Sequence, residues 1–319
     1  LIKNNKSFDL KSLDYFILAP NKPPIYQQLY SPLFSERQIE VTVKRLDLLH
    51  PDIQGNKFYK LHYNLKAAKD LGLGKVLTFG GAYSNHIHAT AFAAAANGLE
   101  SIGVIRGEVM APLNPTLEDA QNQGMLLLPM SRADYRQKDS PSILENLKFK
   151  FGEFYLIPEG GTNAMAIKGT KEILTEQDLI MDFITTPIGT GGTFAGLLGS
   201  ATPNQHVIGF SALKGEFIFS EIDDLLKKHK IKPKCTYDIQ TAYHFGGYAK
   251  HKPPLIQFMQ ELKEKANLPL DPIYTGKMMF GLFDLIQKDY FPNGSNILVL
   301  HTGGLQGVRG FEQKLGIRL

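Results

Sequence analysis

The chain has 319 residues, 43% of them hydrophobic, and 35 basic against 31 acidic side chains leave a net charge of +4. That is enough apolar material for one large or two modest cores. So mild a charge balance, with no basic stripe interleaved with aromatics, excludes nucleic acid as the default partner.

Residues 1 to about 37 carry Pro20, Pro23, Pro24 and Pro32 without sustained periodicity and read as an arm or loops laid over a surface. Residues 39–45 alternate apolar and polar positions as a half-buried strand does. Gly55-Asn56-Lys57 opens a helix whose apolar positions Phe58, Leu61, Leu65 and Ala68 recur at helical spacing until Gly72. A strand over 75–79, a Gly80-Gly81 turn and a Ser84-Asn85 start signal lead into an alanine-rich helix to about Asn97. Strands are expected at 101–105, 125–128 and 154–157, with a helix started by Asn114-Pro115 and another over 142–150.

The second half repeats the theme. Glu159-Gly-Gly-Thr-Asn163 precedes a helix over 164–176, a strand over 179–185 runs into Gly189-Thr-Gly-Gly-Thr193, and a helix follows through Leu198. Strand 207–211, helix 217–230, a looser region to about 252, helices 254–266 and 277–288, and strand 297–300 complete the chain, ending in the turn His301-Thr-Gly-Gly304. Strands alternating with helices, with apolar runs rather than one-sided patterns, predict an α/β fold with a mostly parallel sheet covered on both faces.

Three strand ends carry glycine turns, at Gly80-Gly81, at 189–193 and at Gly303-Gly304. In open α/β sheets ligands lie beyond the carboxyl ends of strands, so the three turns are expected to converge on one site; that glycine is simply the easiest turn residue is the alternative for any one of them. The 189–193 turn is the best phosphate cradle, since backbone N–H groups and the hydroxyls of Thr190 and Thr193 can wrap an anion. No Lys-Ser/Thr pair follows it, so it is not a P-loop, and it fails the strict G-x-G-x-x-G fingerprint; a small monophosphate suits it better than a dinucleotide. Lys57 sits at a strand-to-helix junction, where a helix N-terminus disfavours a cation and helps lower its pKa. A lysine that sheds its proton is what a Schiff base with pyridoxal 5'-phosphate requires.

Gly55-Asn56-Lys57 with Lys60-Leu61 downstream, Gly81-Ala-Tyr-Ser84-Asn85-His86, the 189–193 turn, Asp271-Pro-Ile-Tyr274-Thr275-Gly276-Lys277 and His301-Thr-Gly-Gly304 together resemble the 1-aminocyclopropane-1-carboxylate deaminase / D-cysteine desulfhydrase family. The motifs stand in the family's order from about Ile39 to the C-terminus. The resemblance implies a pyridoxal-phosphate enzyme of the tryptophan-synthase-β type: two open, twisted, mostly parallel sheets flanked by helices. It implies a large domain from residues 1–59 and 169–319, a small inserted domain over 60–168, and a homodimer.

It also implies roles. Lys57 would carry the cofactor and move the substrate's α-proton. Asn85 would hydrogen-bond the cofactor's phenolic oxygen, and Gly189, Thr190, Gly191, Gly192 and Thr193 would hold its phosphate. Ser84, with the N–H groups of Asn85 and His86, would grip the substrate carboxylate. Tyr274 and Tyr248 would line the substrate side as acid/base or orienting hydroxyls; a purely packing aromatic is the equal alternative for each.

Two positions depart from the deaminases. Where they carry a glutamate that keeps the pyridine nitrogen protonated, this chain has Thr275, and where they carry leucine it has Thr302. A hydroxyl supports a charged ring less well than a carboxylate, which points to β-elimination of a good leaving group, with D-cysteine the first candidate substrate, and makes cyclopropane opening the alternative. A protein that keeps the fold but only binds is a further alternative.

Elsewhere, His86 and His88 are two residues apart on a helix and point to different faces, so no metal site is expected, and His301 reads equally as ligand-facing or packing. Cys235 is the only cysteine, which excludes a disulfide framework. No apolar run reaches the roughly 18 residues that cross a bilayer, and the first residues lack a signal-peptide pattern. A cytoplasmic enzyme without a membrane partner is the expectation.

Overall fold

The computed structural model describes residues 18–20 and 23–319, so most of the expected N-terminal arm lies outside the described residues. Two sheets organise the chain. The first has six strands in the order β1 (Ile25–Leu29), β2 (Glu40–Arg45), β10 (Asn296–Leu300), β7 (Phe183–Ile188), β8 (His206–Ser211) and β9 (Thr236–Gln240). Only β1 runs antiparallel to its neighbour; the other pairs are parallel. The second has four parallel strands, β5 (Leu126–Met130), β4 (Glu100–Arg106), β3 (Lys75–Gly80) and β6 (Tyr155–Ile157). This is the expected α/β class with two mostly parallel sheets.

The period of two along each strand sorts side chains between layers. In β10, Leu298 and Leu300 join one apolar cluster while Ile297 and Val299 join another. The first cluster lies between the sheets. It joins Ile184 and Leu298 of one sheet to Val76 and Ile157 of the other through Leu61 and Leu65 of α2 (Asn56–Asp70) and Ile167 of α7 (Ala164–Thr170). Truncating a fully buried leucine such as Leu65 to alanine here is worth about 2–5 kcal/mol. Helices α8 (Gly192–Leu198) and α9 (Phe217–Lys228) pack into the same cluster through Phe194, Leu197, Ile218 and Ile222.

The far face of the six-stranded sheet is covered by α1 (Pro32–Glu36), α10 (Pro253–Ala266) and α11 (Thr275–Gln287), through Phe34, Leu255, Met259, Met278 and Leu282. On the small sheet, α3 (Asn85–Ala96) and α4 (Pro115–Asn122) set Ile87 and Leu117 against Ile105 of β4. Tyr135 of α5 (Arg132–Tyr135) and Leu147 of α6 (Pro141–Phe151) meet Leu77 and Phe79 of β3. The last helix, α12 (Gln306–Leu315), is tied to α4 by the Arg309–Asp119 ion pair.

Several elements differ from their sequence reading. Residues 25–29, expected as arm, form an edge strand, because β2 offers them a pairing partner. The strand expected over 179–185 starts only at Phe183. Residues Glu176–Ile180 instead form a short 3-10 turn, with a capping box between Thr175 and Asp178. Asp178 is held there by Lys44 at 2.5 Å, both side chains buried, while Leu179 and Ile180 are left exposed. The helix expected over 164–176 ends at Thr170 and tightens into a 3-10 turn over Lys171–Ile173. The looser region contains β9, an edge strand paired to β8, and α12 had no expectation at all. Among the described residues no helix is long and apolar enough to cross a membrane.

Candidate active site

The carboxyl ends of β3, β7 and β10 open onto one cavity of about 450 Å³, lined by residues from all three glycine turns. The convergence expected from sequence is therefore observed. Lys57, at the start of α2, lines the same cavity. Its placement depends on Gly55, which has φ +63 and approaches the turn after β10 so closely that a Cβ would lie 1.9 Å from the Thr302 carbonyl oxygen. Only glycine combines that backbone conformation with that contact. The Asn56 N–H then donates to the Thr302 carbonyl at 3.3 Å, and those of Lys57 and Phe58 donate to Gln54 and Gly55.

Lys57 Nζ donates to Asn56 Oδ1 at 3.1 Å. Burial pushes its pKa down to about 8, opposed by the Asp271 carboxylate. Burial is the main cause of the lowering. One helical turn on, Lys60 is buried and donates to the Gly160 carbonyl at 2.9 Å and to Thr162 Oγ1 at 3.1 Å. Its pKa is lowered well below the usual lysine range by burial first and by the Lys57 charge second.

The 189–193 turn lines the cavity throughout. Gly191 takes a left-handed φ of +76 at the start of α8 and offers no side-chain cap. The first N–H groups of a helix have no intrahelical acceptor, so those of α8 are available to a guest. The turn is braced from outside: Asn56 Nδ2 donates to Thr193 Oγ1 at 2.7 Å, and the hydroxyls of Thr190 and Thr162 meet at 2.6 Å.

The start of α3 is finished differently. Ser84 is its N-cap, and its Oγ accepts the N–H groups of His86 at 3.2 Å and Ile87 at 3.3 Å. The His86 amide expected to face a carboxylate is thus already taken by Ser84, which keeps its own O–H free to donate. The His86 ring is buried, with Nε2 2.8 Å from Thr78 Oγ1, and burial followed by the charges of Lys57 and Lys60 pushes its pKa well down. Asn85 Oδ1 accepts from Gln306 Nε2, leaving Nδ2 as its free donor, and Gln306 is in turn held by the Thr116 hydroxyl at 3.1 Å. Nothing in the sequence singled out Gln306; a lone glutamine at an unexpected helix start gives no signal.

Tyr274 and Tyr248 both line the cavity, with ring centroids 6.2 Å apart in an edge-on arrangement. Burial first, then the neighbouring Tyr248, holds the Tyr274 hydroxyl well above its ordinary pKa. Lys277 of α11 fixes the loop that carries Tyr248 by donating to the carbonyls of His244 at 2.9 Å and Gly247 at 2.8 Å.

Thr302 lines the cavity but Thr275 does not. Thr275 is fully buried, accepts the Asp271 N–H at 2.9 Å and donates its hydroxyl to Asp271 Oδ1 at 2.7 Å. The same carboxylate accepts the N–H groups of Ile273, Tyr274 and Thr275, so it acts as the cap of α11. His301 is a packing residue: it is 1% exposed, and Nε2 lies 2.7 Å from the Pro269 carbonyl.

A buried lysine with a depressed pKa beside an uncapped glycine turn and a second buried lysine is a donor set for an aldehyde that carries a phosphate. The family model for pyridoxal-phosphate dependent enzymes matches residues 26–303. The chain belongs to that family. Within it, this enzyme is 33% identical over 315 residues to a Pyrococcus horikoshii protein whose name provisionally assigns it as a 1-aminocyclopropane-1-carboxylate deaminase, covering 93% of this chain and 94% of that one. It is 30% identical over 303 residues to the mitochondrial bifunctional D-cysteine desulfhydrase/1-aminocyclopropane-1-carboxylate deaminase of Arabidopsis thaliana, covering 84% of this chain and 73% of that one. A crystal structure described as an ACC deaminase homologue superposes with a TM-score of 0.78 at 29% identity, covering 97% of this chain and 99% of that one. The enzyme is therefore of the deaminase / desulfhydrase group, and pyridoxal phosphate is its cofactor.

Proposed function

We propose that this enzyme is a lyase that eliminates the β-substituent of a small amino acid, with D-cysteine and water giving pyruvate, ammonia and sulfide. Pyridoxal phosphate supplies the electron sink that makes the bond between the α-carbon and hydrogen breakable. In this reading Lys57 binds the cofactor and takes the α-proton, for which a pKa lowered to about 8 suits it. The amides of Gly189, Thr190, Gly191, Gly192 and Thr193 would hold the phosphate, with Lys60 Nζ beside the turn as a further donor, and Asn85 Nδ2 would donate to the ring oxygen. Ser84 Oγ and the Asn85 N–H hold the substrate carboxylate; the His86 ring, being neutral, leaves that charge unopposed. Tyr274, which stays protonated at neutral pH, donates to the departing group, and Tyr248 and Thr302 orient the substrate.

The observation that carries the choice of elimination is Thr275. Its hydroxyl is committed to Asp271 and no carboxylate stands at that position, where the resemblance gives deaminases a glutamate. With a hydroxyl rather than a carboxylate at that position, the ring nitrogen would lack a direct anionic partner there, the electron sink would be weaker, and a thiolate leaving group would ask less of it than carbon–carbon cleavage does. The second reading, opening of 1-aminocyclopropane-1-carboxylate to α-ketobutyrate and ammonia, is favoured by the names of the relatives. Incubation with each substrate separates the two. Sulfide and pyruvate from D-cysteine, with little α-ketobutyrate from the cyclopropane, support elimination; the reverse pattern replaces it. Thr275→Glu is expected to move selectivity toward the cyclopropane substrate.

The division into a large domain (1–59 and 169–319) and a small one (60–168) is part of the same proposal. The separate sheets support it, although both boundaries fall inside helices, α2 and α7, that contribute to one apolar cluster. A homodimer in a reducing, cytoplasmic setting completes the reading; buried, unpaired Cys235 supports the setting. Light scattering of the purified chain tests the dimer.

A further inference from the structure

A second depression adjoins the active cavity, and none of the chemistry above uses it. Arg106, Arg132, Tyr135, Arg136, Lys138 and Glu159 line it. Arg106 and Glu159 also line the active cavity, so the two share a wall. Four of the six side chains are cationic and one is anionic. The arginine ion pairs among the described residues belong to Arg37, Arg45 and Arg309, so the three guanidiniums here have none. Lys138 meets Glu159 at 3.3 Å and Asp139 at 3.6 Å, which occupies the nearby carboxylates.

The cluster is built rather than scattered. A bridge between Gly107 and Met130 ties the ends of β4 and β5, which brings Arg106 and α5 together. Tyr135 is 3% exposed and sits edge-on against Phe79, with ring centroids 6.0 Å apart. Arg106 lies 5.9 Å and Lys138 5.2 Å from its ring centroid. Its hydroxyl is buried, no hydrogen bond of full geometry satisfies it, and the Glu159 carboxylate is its polar neighbour. The three guanidiniums are exposed and lack carboxylate partners, and the buried hydroxyl beside them is incompletely satisfied; an oxyanion guest would accept from both. Planar guanidiniums match carboxylate and phosphate oxygens in pairs, which a lysine cannot do.

We propose that Arg106, Arg132, Arg136 and Lys138, with the Tyr135 hydroxyl, form a subsite for a carboxylate or phosphate, borne by the far end of an amino-acid substrate or by a free anion. The substrate source rests on the function proposed above; the subsite itself does not. The test uses holoenzyme, in which the cofactor fills the 189–193 turn, and titrates inorganic phosphate by calorimetry at low ionic strength. Wild type is expected to bind, and Arg132→Gln/Arg136→Gln to bind at least about tenfold more weakly. Arg132→Lys/Arg136→Lys, which keeps the charge but loses the fork, is expected to fall between them. Absence of phosphate binding in wild type, or equal dissociation constants in wild type and the glutamine variant, overturns the proposal.

The second arm compares kcat/KM for D-cysteine and for S-carboxymethyl-D-cysteine. Arg132 and Arg136 stand outside the active cavity, so D-cysteine turnover is expected to be unchanged. A loss confined to the carboxylate-bearing substrate identifies the substrate as the source of the anion. Lost phosphate binding with no such discrimination identifies a free anion. Phosphate binding needs no turnover, so failure of the proposed elimination leaves this result readable.

Discussion

Two helix starts line the same cavity and read almost alike in sequence: a strand, a pair of glycines, hydroxyl residues, a helix. Their first turns are finished in opposite ways. At α3 the Ser84 side chain accepts two of the exposed amides, whereas at α8 the starting residue is Gly191, which has no side chain to cap with. A cap consumes the donors that an anion would use, and its absence leaves them open. The open start suits a phosphate, which has many acceptor oxygens. The capped start keeps one hydroxyl donor and one amide, which in the proposed function would orient a substrate carboxylate.

The comparison can be broken or sharpened by substitution. Lys57→Ala leaves both starts intact and is expected to have the largest effect, lowering kcat/KM by roughly 10³-fold or more and removing the cofactor's long-wavelength absorbance. Activity within tenfold of wild type would detach both starts from the chemistry. Gly191→Val forces a β-branched residue into left-handed backbone at a cost of about 1–3 kcal/mol, so cofactor affinity is expected to fall about ten- to a hundredfold in an absorbance titration, with the circular dichroism of the fold retained.

Ser84→Ala separates the two duties of the capped start. It is expected to lose about 1 kcal/mol of stability in urea unfolding and, through the substrate grip, about a hundredfold in kcat/KM. Ser84→Asp restores the cap but sets a negative charge where the carboxylate docks. Stability should return and activity should not; recovery of both would show that Ser84 acts only as a cap.

The smallest expected effect is on pH dependence. Lys57 in the folded apoenzyme titrates near pH 8, against about 10.4 in the unfolded chain. Between those values the unfolded chain binds more protons, so the lysine's contribution to stability rises with pH across that window. Lys277, also lowered to about 8 by burial against the opposing Asp271 charge, acts in the same direction, so Lys57→Met is expected to remove only part of the rise. The rate at which apoenzyme takes up pyridoxal phosphate should likewise climb through pH 8, because the neutral amine is the reactive form. A rate already level below pH 7 would contradict the lowered pKa.

Most of the layered architecture was legible because buried parallel strands and glycine turns leave local signals. The edge strands β1 and β9 were not, since their pairing partners, β2 and β8, lie elsewhere in the chain. Leu179 and Ile180 look like strand residues, yet Asp178 next to them is captured by Lys44, a contact across 134 positions that no local pattern encodes. In the site, Lys57, Ser84 and the 189–193 turn were visible as motifs. The direction of the lysine pKa shift was legible from the helix start, but its largest cause, burial, depends on what folds over α2. Thr275 carried a chemical contrast in its identity, but its turn toward Asp271 could only be seen in three dimensions.

The division of labour between the two helix starts is tested most directly by measuring, in Ser84→Ala, the dissociation constant of pyridoxal phosphate alongside KM for the amino-acid substrate. The account predicts that cofactor affinity stays within about twofold of wild type while kcat/KM falls about a hundredfold, because Ser84 serves only the substrate side. A loss of cofactor affinity as large as that of Gly191→Val would contradict it, since the capped start would then be holding the phosphate as well.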